Sequence, residues 1–157
     1  MLSVKPKFVD MILTGKKTVE LRKKWYSLAL GTPSDLQYVY VYASAPVKKI
    51  VARFTVSTTL FSKIPYLWDR VEGFCGVSFE EFSKYFEGSS AGYGLEISNL
   101  EVFKVPFDPY SSNEFNRVSG FTLYDYRLRS FRPPQNYCFL TSRELKVLDE
   151  HVLSEGV

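Results

Sequence analysis

Apolar and polar residues alternate along several segments of this chain, in the two-residue period that is typical of half-buried strands. Val, Ile, Tyr and Thr, which favour strands, are concentrated in the two clearest segments, residues 38–43 and 50–59. Weaker patterns predict further strands over residues 2–5, 93–102 with an extension toward 107, and 136–140. Pro46 is expected in the turn between the two clearest strands, because proline favours turns over central strands.

Apolar residues that recur every three to four positions predict several short helices. Pro6 is expected to open the first helix, at the first-turn position where proline is tolerated, and Gly15 suits the turn after its end. Capping boxes are predicted at the start of three later helices: Ser78 with Glu81, Ser111 with Glu114, and Thr141 with Glu144. The later helices are predicted over residues 64–72, 79–86, 111–118 and about 142–153.

Strands that follow one another closely, with short helical insertions, predict an α+β fold around a small, mostly antiparallel β-barrel. The chain has 157 residues, of which 45% are hydrophobic, so a single globular domain over residues 1–157 is expected. Residues 121–131 are rich in aromatic residues and arginine, and their pattern assigns no element.

The most informative short segment is GKKTVELR, residues 15–22. Apolar residues alternate in it with Glu20 and Arg22, which predicts a strand with one polar face. Lys17 lies just before this strand, so three charges are expected together at the mouth of the barrel. Such a cluster can bind a phosphate or carbonyl oxygen through its cations and a base amino group through its carboxylate. The alternative is a structural group of salt bridges that closes the barrel.

The net charge of +3 conceals an uneven distribution along the chain. Residues 1–24 carry a net charge of +5 and residues 115–135 carry +3, whereas residues 62–101 carry −4. If the two basic segments meet in the fold, they form a positive face, and such a face with aromatic residues suits single-stranded nucleic acid. Ordinary solvated lysines are the alternative interpretation. The aromatic residues within or beside the basic segments are Trp25, Tyr26, Tyr124, Tyr126 and Phe131.

A second candidate site is FRPPQNY, residues 131–137. Two consecutive prolines stiffen the backbone, so Arg132 and Gln135 are held at a fixed separation. Arginine can stack on a base or bind a phosphate, and glutamine can recognise a base edge, although a rigid entry into the last strand is an equal alternative. At the end of a central strand, Ser44 is expected to line the cleft and Tyr42 to belong to the core.

Several classes of chemistry are disfavoured by what the sequence lacks. Cys75 and Cys138 stand far apart, which predicts free thiols rather than a disulfide framework or a zinc site. His151 is the only histidine, so a histidine-based nucleophilic mechanism or a multi-histidine metal site is not expected, and no cofactor is predicted. The first residues lack the apolar core of a signal peptide, and no apolar run could span a bilayer, so a cytoplasmic protein is expected.

GKKTVELR resembles the GxKxxExR signature of the ASCH domain, a PUA-like β-barrel family. The surrounding order is similar too: LSVKPKFVDMILTG, the strand YVYVYAS, the helix after GVSFEEFSKYF, the strand GYGLEI and the late FRPPQ. The resemblance covers most of residues 2–140. It implies a PUA-like barrel with a cleft beside its helices, and binding of RNA or modified nucleosides.

Some members of that family hydrolyse the amide of acetylated cytidine with a lysine, a threonine three residues later, and a glutamate. The lysine matches Lys17, but Glu20 occupies the threonine position and Cys75 lies near the glutamate position, with Glu72 three residues away. Two of the three positions therefore depart from the hydrolase pattern. Ribonuclease activity without a metal has also been proposed within the family.

The favoured function is binding of RNA, another single-stranded nucleic acid or a nucleoside-like molecule in the cleft. The alternative is a small hydrolase, an N4-acylcytidine amidohydrolase or a ribonuclease, with Lys17 and Glu20 as its catalytic residues. A lysine beside a carboxylate stays charged, which argues against Lys17 as a general base. Sensing of a small metabolite is a third hypothesis. The predicted binding residues are Lys5, Lys16, Arg22, Lys23, Lys24, Ser44, Arg132 and Gln135.

Overall fold

The computed structural model of the protein describes residues 1–25, 38–116 and 131–157. These residues contain five strands and four helices. In chain order the elements are β1 (Leu2–Val4), α1 (Pro6–Leu13), β2 (Val19–Arg22), β3 (Val39–Ala43), β4 (Lys49–Lys63), α2 (Ile64–Val71), α3 (Phe79–Phe86), β5 (Ala91–Phe107) and α4 (Ser142–Glu155). Most of the basic segment 115–135 lies outside the described residues, including its arginines Arg117, Arg127 and Arg129, and so do the aromatic residues Tyr26, Tyr124 and Tyr126 of the predicted positive face.

The five strands form one mixed sheet in the order β1-β3-β4-β5-β2. The β1–β3 pair is parallel and the other three pairs are antiparallel, so the predicted α+β class with mostly antiparallel pairing is confirmed. β4 and β5 are long, and three register shifts interrupt their ladder, which is where extra twist enters a sheet. Among the described residues no ladder joins the edge strands β1 and β2, so backbone pairing does not close this sheet into the predicted barrel.

Three apolar cores surround the sheet. The α1 core packs Val9 and Ile12 of α1 against one face of β1, β3 and β4. The α4 core lies on the opposite face of β3 and is covered by Leu148 of α4 and by Phe131. The α2–α3 core covers the other face of β2 with apolar residues from both helices. Among the described residues no helix is long and apolar enough to cross a bilayer.

The connection from α1 to β2 determines where the GKKTVELR charges lie. Pro6 occupies the first turn of α1, and Gly15 follows the helix with a φ of 72°, a backbone angle that favours glycine. The N–H of Lys17 then donates to the carbonyl of Met11 over 2.9 Å, which turns the chain back toward the sheet. The N–H groups of Thr18 and Val19 both donate to the carbonyl of Phe74, so the start of β2 is held between α1 and the turn after α2.

Two sequence predictions are wrong. Residues 111–116 form turns instead of the start of a helix, because the carbonyl and carboxylate of Asp108 accept hydrogen bonds from the Ser111 hydroxyl and the Tyr110 N–H. Such local side-chain bonds compete with helix formation. The predicted strand over residues 136–140 is only a single antiparallel bridge between Leu2 and Tyr137, since β1 offers just three residues for pairing.

Candidate nucleic-acid interface

The three charges of GKKTVELR form a buried cluster, which we call the charged cluster: Lys17, Glu20 and Arg22. Their exposed fractions are 3%, 6% and 5%. The Glu20 carboxylate forms ion pairs with both cations: its Oε2 lies 3.3 Å from Lys17 Nζ, and its Oε1 accepts a hydrogen bond from Arg22 Nη2 over 2.7 Å. Lys17 Nζ also donates to the carbonyls of Val19 and Cys75. The ammonium group of Lys17 therefore has three oxygen partners inside the protein, two carbonyls by hydrogen bonds and one carboxylate by an ion pair.

Arg22 spans the gap between the two edge strands of the sheet. Its Nη2 donates to the carbonyl of Ser3 in β1 over 3.1 Å, in addition to Glu20. Its Nη1 donates to the carbonyl and the side-chain oxygen of Asn136, both at 3.1 Å. A guanidinium group with a fixed fork of donors can hold two edges where no backbone ladder does so. Arg22 Nε is buried and has no hydrogen-bond partner among the residues that the structure describes.

The predicted alternation of β2 is correct, but its polar face is not exposed. Val19 and Leu21 belong to the α2–α3 core. Glu20 and Arg22 point to the other side of the sheet, where their register partners on β5 are Leu95 and Tyr93. That side faces the α1 core, so all four residues of β2 are buried. The sequence pattern predicts the alternation of the strand, whereas α1 and segment 131–138 bury its polar face.

Four of the predicted binding residues lie near the same end of the sheet. Ser44 follows β3, and its N–H donates to the carbonyl of Val4, which places it beside Lys5. The bridge between Leu2 and Tyr137 and the bond from Ser3 N–H to the Asn136 carbonyl set the direction of segment 131–137 antiparallel to β1. Phe131 packs on Tyr42 near the end of β3, so Gln135 and Arg132 lie toward the same end. Lys5, Arg132 and Gln135 are exposed and Ser44 is half-buried.

Two further lysines, Lys48 and Lys49, lie at this end and were not among the predicted binding residues. Lys49 is the register partner of Ala43, and Lys48 lies in the turn that Pro46 forms with Ser44. Both side chains are exposed. The two adjacent lysines after Pro46 could have indicated this position in the sequence. A tight turn brings the chain back to the end of the preceding strand, so both lysines had to lie near Ser44. We call the four cations Lys5, Lys48, Lys49 and Arg132 the basic end.

The three remaining predicted binding residues do not lie together. Lys16 is exposed after α1. Lys23 Nζ donates to the carbonyl of Glu87 over 3.2 Å and lies 5.7 Å from the ring centre of Tyr85. The backbone carbonyl of Lys24 accepts a hydrogen bond from the side chain of Asn136. Lys24 therefore lies beside segment 131–138, whereas Lys23 lies beside α3.

A pair of tyrosine hydroxyls lies beneath the basic end. The hydroxyls of Tyr42 and Tyr110 are 3.2 Å apart, and the ring of Phe131 packs edge-on against both rings. Burial, and then the hydrogen bond with Tyr110, raises the pKa of Tyr42, so this phenol stays neutral at physiological pH. Tyr42 is fully buried, as its predicted place in the core requires.

An aromatic pocket of about 350 Å³ lies at the opposite end of β1 and β3. Trp25 and Tyr137 pack edge-on in it with ring centres 5.2 Å apart, and Phe139 is 70% exposed at its rim. The full set of described lining residues is Met1, Trp25, Tyr38, Val39, Tyr40, Tyr137, Cys138, Phe139, Leu140, Leu145 and Asp149. No local sequence pattern indicates this pocket, since its residues come from several separate segments of the chain. We call it the aromatic pocket.

The wall of the aromatic pocket is supported by a hydrogen-bonded network around Arg53. Its guanidinium lies 4.0 Å from the ring centre of Tyr38, and its Nε donates to Glu101 over 2.7 Å. Its Nη1 donates to Asp149 over 3.0 Å, and the Tyr40 hydroxyl donates to the same carboxylate oxygen over 3.1 Å. Burial raises the pKa of Tyr40, and the hydrogen bond to Glu101 raises the pKa of Tyr38, so both phenols are neutral donors.

Comparison with known proteins identifies the fold. No protein-family model matches the sequence. The chain is 23% identical over 147 residues to an ASCH domain-containing ribonuclease of Zymomonas mobilis, which covers 94% of this chain and 87% of that protein. The crystal structure of ASCH from Zymomonas mobilis matches with a TM-score of 0.74 at 23% identity, over 95% of this chain and 92% of that chain. The chain has the ASCH fold.

The resemblance of GKKTVELR and its flanking segments to the ASCH family is therefore confirmed. A structure of the Zymomonas ASCH protein with one tyrosine replaced by phenylalanine matches equally well, with a TM-score of 0.74 at 22% identity over 95% of this chain and 94% of that chain. A shorter similarity, 26% identity over 83 residues, relates 53% of this chain to 27% of the large ribosomal subunit protein uL22 of Ureaplasma parvum.

Proposed function

We propose that this ASCH chain binds single-stranded RNA, with phosphates at the basic end and an unstacked base in the aromatic pocket. The observation that carries the proposal is the course of segment 131–140, which runs from Arg132 at the basic end to Phe139 at the pocket. A strand of RNA that follows this segment would meet cations first and aromatic rings next. These are the two kinds of contact by which proteins hold single strands.

In this proposal the charged cluster organises the interface and is not part of it. Arg22 fixes Asn136, whose side chain in turn donates to the Lys24 carbonyl next to Trp25. The cluster thus joins segment 131–138 to β1 and β2. We propose that this side-chain bridge takes the place of a closing ladder in a PUA-like barrel.

Salt dependence of binding tests the proposal, because each phosphate contact releases condensed counterions. Wild type should bind a labelled RNA of about 10 nucleotides, a length within the range of single-strand sites. A triple variant with Lys5, Lys48 and Lys49 changed to Ala should bind more weakly, and its slope of log K against log salt should be shallower by about 2. Fluorescence anisotropy over a salt titration measures both quantities.

The matched control replaces three exposed lysines that lie elsewhere, Lys63, Lys84 and Lys146, by Ala. It removes the same charge, so it should lower long-range attraction slightly and leave the slope close to that of wild type. If both triple variants lose the same affinity and the same slope, the basic end does not hold phosphates and the proposal is wrong.

A second candidate function is ribonuclease activity, which the name of the Zymomonas relative favours. For this function Lys17 and Glu20 remain the predicted catalytic pair, with the lysine holding a developing negative oxygen and the glutamate moving a proton. Both groups are buried and bonded to each other, so an RNA phosphate would have to displace internal contacts to reach them. Cleavage of a labelled RNA by wild type and by the Glu20→Gln variant tests this role.

A further inference from the structure

The aromatic pocket contains a carboxylate, Asp149, which has no role in binding phosphates at the basic end. Asp149 is the one charged side chain among its described lining residues, in a wall made otherwise of aromatic and aliphatic groups. Its side chain is 56% exposed, so it can still accept hydrogen bonds from a ligand. A carboxylate at the edge of an aromatic pocket recognises planar rings that present N–H donors.

The Asp149 carboxylate is held in place before any ligand arrives. Its Oδ1 accepts from the Tyr40 hydroxyl over 3.1 Å and from Arg53 Nη1 over 3.0 Å. Arg53 is itself oriented by Glu101 at 2.7 Å and by the ring of Tyr38. Fixed partners reduce the entropy that a binding group loses when a ligand is bound, so this acceptor is preorganised.

The Watson–Crick edges of the four bases differ in what they offer to a carboxylate. Guanine presents two adjacent donors, N1–H and the exocyclic amino group, which match the two oxygens of one carboxylate. Adenine and cytosine each place a ring acceptor beside their amino group, and uracil places carbonyl oxygens on both sides of its single N–H. Those acceptors are repelled by a carboxylate, so only guanine makes the paired contact without repulsion.

We propose that the aromatic pocket is a guanine site, in which Asp149 accepts from N1–H and the amino group while the rings of the pocket pack on the base. This inference rests on the proposed RNA function and names the base that the pocket takes. A volume of about 350 Å³ lies within the range of small-molecule sites, roughly 300 to 1,000 Å³. The exposed ring of Phe139 at the rim lets the base enter from a single strand.

The first experiment compares short uridine-rich RNAs that contain either one guanosine or one adenosine. Wild type should prefer the guanosine RNA by about tenfold, the discrimination expected of a bidentate contact. Asp149→Asn keeps the size of the side chain and an oxygen for Tyr40 and Arg53, but its amide repels one guanine donor. Because asparagine pairs well with adenine, this variant should lose the guanine preference and shift toward the adenosine RNA.

Glu150→Gln is the matched control, since it removes one charge from the adjacent residue of the same helix. Glu150 is exposed and its only ion pair, among the described residues, is with Lys146 at 3.8 Å. This variant should keep the wild-type preference for guanosine.

A second pair of variants, Phe139→Ala and Phe61→Ala, compares two exposed rings, of which only Phe139 lines the pocket. Phe139→Ala should weaken binding of guanosine RNA, and Phe61→Ala should not.

A direct readout uses guanosine monophosphate and the fluorescence of Trp25. In a Trp68→Phe background Trp25 is the sole tryptophan, so its emission reports on the pocket. Guanosine monophosphate should change that emission saturably, and adenosine monophosphate should bind about tenfold more weakly in the same titration.

Salt-sensitive RNA binding without any guanosine preference, or a preference that survives Asp149→Asn, would overturn the guanine site and leave the proposed RNA function intact. Absence of RNA binding by wild type would instead overturn the proposed function.

Discussion

Glu20 is the residue on which the charged cluster depends. It is one carboxylate between two buried cations, at 2.7 Å from Arg22 and 3.3 Å from Lys17. The cluster has an excess positive charge, which carbonyl oxygens of Ser3, Val19, Cys75 and Asn136 offset. Removing one charge of a buried ion pair leaves the remaining charge buried without compensation, whereas an exposed ion pair contributes little to stability.

Glu20→Gln should therefore lower the free energy of unfolding by about 3 kcal/mol, the cost of breaking a buried ion pair. The exposed pair of Lys146 and Glu150 provides the comparison, because Glu150→Gln should cost less than about 1 kcal/mol. Urea denaturation followed by circular dichroism measures both changes. A Glu20→Gln protein that keeps wild-type stability but loses RNA cleavage would contradict this structural role and support the catalytic one.

At the scale of elements, the long ladder between β4 and β5 supports the aromatic pocket through one cross-strand pair. Arg53 and Glu101 are register partners, and Glu101 also accepts from the Tyr38 hydroxyl over 2.7 Å. Burial acts to raise the pKa of Glu101, but hydrogen bonds from Tyr38 and Arg53 outweigh it and lower that pKa below its usual value of 4.5. The ionised carboxylate is thus the form that the folded protein prefers.

This shift predicts how stability depends on pH. Since the pKa of Glu101 is lower in the folded state, its contribution is present above the unfolded value of 4.5 and is lost as pH falls through the folded value. Glu101→Gln should lower the stability by about 1 kcal/mol at about pH 7, and by less at about pH 3. Denaturant titrations at the two pH values test the prediction. An equal loss at both would show that the charge of Glu101 is not what stabilises the ladder.

At the scale of the whole molecule, the basic end and the acidic segment 62–101 belong largely to different elements of the fold. The basic end lies at the ends of β1, β3 and β4, whereas α2 and α3 belong to residues 62–101, whose net charge is −4. Lys7 reaches across to Glu81 of α3 at 2.7 Å, so not every lysine of the basic N-terminal segment serves the positive face. An RNA that follows the proposed path along segment 131–140 would therefore contact some of these lysines and not others.

Lys23 and Lys24 offer the sharpest comparison of such neighbours. Lys23 Nζ donates to the Glu87 carbonyl at the end of α3. The backbone carbonyl of Lys24 accepts from Asn136, which places this exposed residue beside the segment that leads to the aromatic pocket. Lys24→Ala should weaken RNA binding about threefold to tenfold, as expected for one phosphate contact, and Lys23→Ala should change it little. Anisotropy titrations at one salt concentration distinguish the two. Equal effects would mean that RNA does not follow segment 131–138 on the proposed path.

The sequence by itself determined most of the local elements and the family resemblance, although the helix predicted after Ser111 and the strand over residues 136–140 did not form. Capping boxes at Ser78 and Thr141 predicted the starts of α3 and α4, because each box is closed by residues three positions apart. The GKKTVELR segment predicted the alternation of β2 and the similarity to ASCH proteins. The turn at Pro46 was also visible, as was the extension of β5 to Phe107. All of these signals lie within a few residues of the feature they predict.

Only the tertiary structure decided what is buried, and which distant residues meet. Lys17, Glu20 and Arg22 read as a polar face in the sequence, yet α1 and Asn136 cover them. The basic end required the register that places Lys49 beside Ala43, and the aromatic pocket required several segments far apart in the chain. Burial and long-range register depend on contacts between elements, and no local period of apolar and polar residues contains that information.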